Sequence, residues 1–126
     1  MILCDTNILI EFYKGTPDVV DALRMIGLPE IAISVVTAGE LYFGAKDKHE
    51  MRRIIKHLSL LRQLPIDEDV SDAFLRLLET YALSHGLNIP DALIAATALQ
   101  HKLPLYTLNI RDFHFIADLH LYTPGI

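Results

Sequence analysis

The chain is poor in cysteine and has no long apolar run, and both absences narrow the class of protein. Cys4 is the only cysteine among 126 residues, so an internal disulfide is excluded, in agreement with a reducing compartment. No uninterrupted apolar run approaches the roughly 18 to 20 residues that span a bilayer. The start of the chain, residues 1–5, lacks the basic residues of a signal peptide. We therefore expect a cytoplasmic protein with no membrane association.

Positive charge is also scarce. The chain has 11 Lys and Arg against 16 Asp and Glu, for a net charge of −5. This balance excludes a protein that holds a polyanion by overall charge. Six of the basic residues nevertheless cluster, and we expect Arg52, Arg53 and Lys56 to contact phosphates from a helix face opposite Met51, Ile55 and Leu58. An ordinary solvated helix face explains the same residues equally well. The six are Lys46, Lys48, Arg52, Arg53, Lys56 and Arg62.

The length of 126 residues and the 52% of hydrophobic residues are typical of one globular domain. We assign residues 1–126 to this domain. Strand-like and helix-like segments alternate from end to end, which predicts a parallel sheet with helices on its faces. We expect four or five short strands and about six helices, one of which carries Glu40 and begins at Ser34 or Thr37. The predicted strands are Ile2–Cys4, Ile31–Ile33, Leu105–Thr107 and Leu121–Thr123.

Acidic residues stand where such a sheet collects its ligands, beyond the carboxyl ends of the strands. Asp5 follows the first strand, Asp91 begins an apolar helix, and Asp112 lies beyond the strand that ends at Thr107. Glu40 is a fourth acid, in an otherwise small and apolar stretch where a carboxylate needs a partner or a metal. Taken singly, Asp5 or Asp91 is explained as well by the helix dipole, which favours an acid in the first turn.

Four carboxylates in one cleft repel one another, and a hard cation relieves that repulsion. Oxygen ligands with no accompanying histidine pair or cysteine favour Mg²⁺ or Mn²⁺ over Zn²⁺. We therefore expect a magnesium site, with manganese as a substitute. The six histidines show no spacing typical of metal ligands, and His114 is the one nearest a candidate acid.

Four segments in order along the chain resemble the PIN-domain family, in particular the VapC-type toxin ribonucleases. They span nearly the whole sequence and are Ile2-Leu3-Cys4-Asp5-Thr6-Asn7, Ser34 through Leu41 with Gly44, Pro90 through Ala98, and Leu105 through Asn109 with Asp112-Phe113.

The resemblance implies a three-layer α/β/α fold and a site made of Asp5, Glu40, Asp91 and Asp112, with Asp5 and Asp91 as the principal metal ligands. Relatives place an acid at the position of Asn109 and another at that of Asp112, whereas here only the second is acidic. The resemblance also implies that four further residues orient the carboxylates or contact substrate, namely Thr6, Asn7, Thr107 and Asn109.

The activity implied is hydrolysis of RNA phosphodiesters by a metal-activated water, leaving 5′-phosphate and 3′-hydroxyl ends. The implied partners are RNA, a cognate antitoxin protein and a second copy of the chain that packs through helices. For the RNA we expect base stacking by Tyr13 beside Lys14, or by Tyr42, whereas Phe43 is predicted to pack in the core.

Three other interpretations stay open at this point. A receiver-type signalling domain also places acids after its first strand, but it needs an acidic pair there, and Asp5-Thr6-Asn7 supplies one acid. A phosphatase with an aspartyl nucleophile needs Asp-x-Asp, and Asn7 occupies the second place. A PIN-like fold used only for binding is the third alternative, and an intact set of four acids counts against it.

Overall fold

Four short strands form one sheet in the computed structural model, which describes residues 1–125. The strands are all parallel and lie in the order β3-β2-β1-β4. β1 is therefore central, between β2 and β4. The bounds are β1 Ile2–Cys4, β2 Ile31–Ser34, β3 Arg62–Leu64 and β4 Leu105–Tyr106.

In the described part of the chain, six α-helices connect and cover the strands. Ser34 begins α3 by accepting a hydrogen bond from the Val36 amide, and Gly15 and Gly86 end α1 and α5 in the left-handed conformation that glycine adopts without strain. The helices are α1 Thr6–Lys14, α2 Pro17–Ile26, α3 Val35–Phe43, α4 Lys48–Leu58, α5 Glu68–His85 and α6 Ile89–His101, with 3₁₀ turns at Leu28–Glu30 and Ile110–Asp112.

Side chains that alternate along the strands divide the core in two. Leu3 and Ala32 pack on one face with α5 and α6. Cys4, Ile31 and Ile33 pack on the other face with α1, α2 and α4. The fold is thus a three-layer α/β/α sandwich, as expected, and Cys4 is fully buried within it.

Two strand predictions need correction. β3 was not predicted, because two of its three residues, Arg62 and Gln63, are polar and exposed at the sheet edge, and only Leu64 is buried. Conversely, the segment predicted as a last strand, 121–123, contributes a single bridge between Leu121 and Leu105. Whether a segment forms a strand depends on an adjacent strand with which it can pair. The length and apolar character of the segment do not reveal this.

The orientation of two apolar side chains also differs from expectation. α4 buries Ile54 and Leu58, while Ile55 is 46% exposed. Phe43, predicted to lie in the core, is 94% exposed at the end of α3. When two successive residues such as Ile54 and Ile55 are both apolar, the sequence does not show which of them faces the core. The two choices differ by about 100° of rotation about the helix axis.

The order of the strands fixes where a ligand can bind. The chain runs outward from β1 to β2 and β3, and then crosses back to place β4 on the other side of β1. A crevice opens beyond the carboxyl ends of the strands where the direction reverses, here between β1 and β4. Within residues 1–125, no helix is long and apolar enough to cross a membrane.

Candidate active site

Asp5 lies directly after β1, at the mouth of the crevice between β1 and β4. It is 5% exposed and caps the N-terminus of α1. One carboxylate oxygen, Oδ1, accepts a hydrogen bond from the Thr6 amide at 2.8 Å. The other, Oδ2, accepts one from the Thr107 hydroxyl at 2.8 Å and one from the Asn7 side-chain amide at 3.2 Å. Three donors thus fix the orientation of this carboxylate.

The loop that follows β4 is tied to the start of α1 by the same groups. The Asn7 side-chain oxygen accepts a hydrogen bond from the Leu108 amide at 3.2 Å. The Thr107 hydroxyl oxygen accepts one from the Asn109 amide at 3.0 Å. Thr107 and Asn7 therefore bond to Asp5 through their side chains, and the backbone of Asn109 extends the same network. The side chain of Asn109 is exposed to solvent.

Glu40 approaches from the β2 side, on the sixth residue of α3. It is exposed to solvent. Its Oε1 atom lies 2.7 Å from the Thr6 hydroxyl, which in turn lies 3.0 Å from the hydroxyl of the fully buried Thr37. A hydroxyl has one proton and a carboxylate only accepts, so Thr6 donates to Glu40 and Thr37 donates to Thr6.

Thr37 belongs to this network, although the sequence predicts it only as a helix cap. Ser34 performs that role instead, and Thr37 lies on the face of α3 that carries Glu40, one helical turn before it. Its spacing of three residues from Glu40 is the signal that identifies it, since residues three apart on a helix are neighbours.

Asp91 lies in the first turn of α6, which Asn88 caps by accepting a hydrogen bond from the Asp91 amide at 2.9 Å. Burial raises the pKa of Asp91 from 3.8 to about 6, and the negative charges of Asp5, Asp112 and Glu40 add to the increase. The pKa of Asp5 is also raised, mainly by burial and further by Glu40 and Asp112, although its hydrogen bonds from Thr107 and Thr6 oppose the change. The four acids therefore lie within electrostatic reach of one another.

Asp112 reaches this group from the β4 side. It is exposed and ends the 3₁₀ turn Ile110–Asp112, which the fully buried Phe113 anchors to the core. His114 contributes nothing to the group, because its Nδ1 atom lies 3.2 Å from the Arg111 carbonyl and the side chain is exposed.

A hydrated Mg²⁺ ion suits this donor set. The ligands offered are all carboxylate oxygens, and neither ion pair found within residues 1–125 involves any of the four acids. No three acidic, histidine or cysteine side chains of the described chain stand close enough to cage an ion directly. Mg²⁺ binds one or two carboxylates directly and keeps several of its water ligands. Carboxylates that are separated by room for these waters therefore suit it better than carboxylates packed closely enough to replace them.

The raised pKa of Asp91 predicts how stability depends on pH without metal. The folded state binds more protons than the unfolded state between pH 3.8 and about 6, so the free energy of unfolding falls as pH rises through this window. We expect Asp91→Asn in EDTA to reduce that fall, although Asp5 still contributes to it. Above the window, the substitution should raise the free energy of unfolding by up to about 1 kcal/mol, a value reduced for solvent screening. Urea denaturation at about pH 4 and about pH 8 measures the difference. A variant less stable than wild type at the higher pH would contradict the prediction.

Comparisons with known proteins agree with this fold. The family model of the PIN domain matches residues 2–118. The chain is 36% identical to the toxin FitB of Neisseria gonorrhoeae over 98% of both chains, and 34% identical to ribonuclease VapC10 of Mycobacterium tuberculosis over 94% of this chain and 90% of the relative. The fold matches a chain in a toxin–antitoxin complex from Klebsiella pneumoniae with a TM-score of 0.83 and 35% identity, covering 99% of this chain and 98% of that one.

Proposed function

The chain belongs to the PIN-domain family, among its VapC-type toxins, and on that premise we propose that it is a cytoplasmic Mg²⁺-dependent endoribonuclease. The observation that supports this activity best is the effect of Asp5, Asp112 and Glu40 on Asp91, whose pKa their negative charges help to raise. The four acids come from four separate segments of the chain. A structural role does not explain such a group, because unpaired like charges destabilise a fold.

The four acids form two pairs, one buried or partly buried and the other exposed to solvent. Asp5, fixed by three hydrogen bonds, and the partly buried Asp91 would hold the ion. The exposed Glu40 and Asp112 approach from opposite sides of Asp5 and would orient waters toward the RNA phosphate. When bound, the ion supplies an acidic water and positive charge for in-line hydrolysis of the phosphodiester.

The surrounding hydroxyl groups keep this arrangement in place. Thr107 holds Asp5, and the Thr37–Thr6 pair directs one proton at Glu40. Asn7, which a phosphatase would need as an acid, instead donates its amide to Asp5 and so acts as a positioning residue. This use of Asn7 disfavours both the phosphatase and the receiver-type alternatives.

We extend the proposal to partners. A cognate antitoxin is supported by the Klebsiella pneumoniae structure, which is a toxin–antitoxin complex. A homodimer that packs through helices stays a prediction. Met25 and Leu83 are each at least 86% exposed, and such packing would remove them from water.

The test of the activity is cleavage of single-stranded RNA by the purified protein. We expect cleavage in Mg²⁺, no cleavage after EDTA, and recovery when Mg²⁺ or Mn²⁺ is added back, because the carboxylates need a cation before RNA can approach. The ends of the products identify the chemistry, and 5′-phosphates are expected. Undiminished cleavage in EDTA would exclude the metal-dependent mechanism, and RNA left intact in Mg²⁺ would favour the binding-only alternative.

A further inference from the structure

Thr37 uses its hydroxyl group differently from the threonines inside α5 and α6. Thr80 and Thr97 each donate the hydroxyl proton to the backbone carbonyl four residues earlier, at 2.9 and 2.8 Å. This is a common bond for a threonine in the middle of a helix. The Thr37 hydroxyl instead lies 3.0 Å from the hydroxyl of Thr6, a residue of α1 that is 31 positions away along the chain. Thr37 therefore connects α3 to α1.

Thr6, the partner of Thr37, contacts two of the four acids. Its backbone amide donates to Oδ1 of Asp5 at 2.8 Å, and its hydroxyl donates to Oε1 of Glu40 at 2.7 Å. A threonine in a helix has two accessible side-chain rotamers, so a further contact is needed to select the one that faces Glu40. The Thr37 hydroxyl supplies this contact by donating its proton to the Thr6 oxygen.

Glu40 has few other contacts that could restrain it. Its side chain is exposed, and neither ion pair within residues 1–125 involves it. A glutamate that is free to move loses rotamer entropy when it becomes ordered beside an ion, and this loss weakens binding. The hydrogen bonds from Thr37 through Thr6 restrict Glu40 before an ion binds. Thr37 itself is fully buried, so neither an ion nor RNA can touch it.

We propose that Thr37 is a positioning residue of the nuclease, which acts through Thr6 to hold Glu40 in the orientation that serves the metal ion. The inference rests on the proposed metal-dependent function and adds a residue that contacts neither ion nor substrate. The alternative is a purely structural role, in which the Thr37 hydroxyl only satisfies a buried polar group. The two roles differ in whether the effect of removing the hydroxyl depends on Glu40.

The test measures binding of Mn²⁺ alone, by electron paramagnetic resonance of the free ion. Thr37→Val retains the shape of the side chain and removes its hydroxyl. We expect the dissociation constant to rise by about 10-fold, the lower end of the loss that follows removal of a group supporting a metal ligand. Thr37→Ser, which retains the hydroxyl, should bind Mn²⁺ nearly as wild type does. In RNA cleavage, Thr37→Val should lower kcat and leave the KM for RNA unchanged, because Thr37 is fully buried.

Removal of the Glu40 carboxylate separates the positioning role from the structural one. Two substitutions that act through the same group are not additive. In the Glu40→Ala protein, we therefore expect Thr37→Val to change the Mn²⁺ dissociation constant by less than about 2-fold, the limit expected for uncoupled changes. A loss of Mn²⁺ affinity that is the same with and without Glu40 would overturn the proposal.

The matched control is Thr97→Val, because Thr97 is also a fully buried helical threonine but bonds to its own helix. Thermal unfolding of the two valine variants compares their stability. Thr97→Val should leave Mn²⁺ affinity and cleavage unchanged, and an equal loss of Mn²⁺ affinity in both variants would refute the positioning role. If Thr37→Val does not fold, Thr6→Val replaces it, since Thr6 is only partly buried. Thr6→Val should show the same loss, and wild-type affinity in that variant would contradict the proposal.

The outcomes for the wild type distinguish this inference from the proposed function. If the wild type neither binds Mn²⁺ nor cuts RNA, the metal-dependent nuclease is overturned, and the role of Thr37 with it. If the wild type does both and Thr37→Val equals it, the nuclease stands and the positioning role alone is overturned. Failure of Thr37→Ser to restore Mn²⁺ affinity in a folded protein would likewise overturn only the role of Thr37.

Discussion

Asp5→Asn is expected to lower RNA cleavage by at least about 100-fold while the protein stays folded, because residues that merely support a metal ligand already cost 10- to 100-fold. Asp5 is the most buried of the four acids, and three hydrogen bonds hold its carboxylate in one orientation. Asparagine has a similar shape and is an equally good helix cap, so α1 still begins correctly. What it removes is the negative charge that binds the ion. Initial rates of cleavage at saturating Mg²⁺ measure the loss.

The control for this substitution is Asp72→Asn on α5, which changes an exposed aspartate outside the site. We expect this variant to cleave as wild type does. Asp91→Asn should resemble Asp5→Asn in activity, although its unfolding responds differently to pH as described above. Full activity in Asp5→Asn, or equal loss in Asp72→Asn, would show that the carboxylate cluster is not the catalytic centre.

Phe113→Ala is expected to have the largest effect on stability, a loss of about 3–5 kcal/mol. Phe113 is 1% exposed and heads the group of largest fully buried side chains, where it packs with Leu3 and Leu105. Because domains of this size are stable by only about 5–15 kcal/mol, the melting temperature should fall by more than about 10 °C. Asp112 is the preceding residue, so cleavage should fall as well even though no carboxylate has been changed.

Phe43→Ala is the matched comparison, since Phe43 is the same residue type at 94% exposure. Its unfolding free energy should stay within about 0.5 kcal/mol of wild type. Phe113→Leu, which retains most of the apolar volume, should show an intermediate loss and recover part of the activity. Equal destabilisation by the alanine substitutions at the two phenylalanines would contradict the assignment of Phe113 to the core.

The elements that sequence predicts well are those with a local signal. Apolar runs locate β1 and β2, Gly15 and Gly86 locate helix ends, and acids just after strands locate Asp5. The resemblance to a family then places Glu40, Asp91 and Asp112 near Asp5, which local patterns alone do not do. Their mutual effects on pKa agree with that placement, while their roles as ligands stay a prediction.

What the sequence does not reveal depends on neighbours distant along the chain. Arg62 and Gln63 form a strand because the edge of β2 is free to pair with them. Phe43 is the last residue of α3, where no other part of the described chain covers its side chain. Tertiary packing also separates the basic residues of α4. With Ile54 buried, Arg53 and Lys56 line a groove between α1, α3 and α4, and Arg52 does not.

The hydrogen bond between Thr107 and Asp5 joins residues 102 positions apart, and this separation has a consequence during protein synthesis. The central strand β1 is translated well before β4 and the loop that follows it, which supply the Thr107 hydroxyl. A nascent or truncated chain that ends before β4 carries Asp5, Glu40 and Asp91, but it lacks both Asp112 and the hydroxyl that helps to orient the first of them. The complete set of carboxylates can therefore form only after the loop behind β4 has left the ribosome.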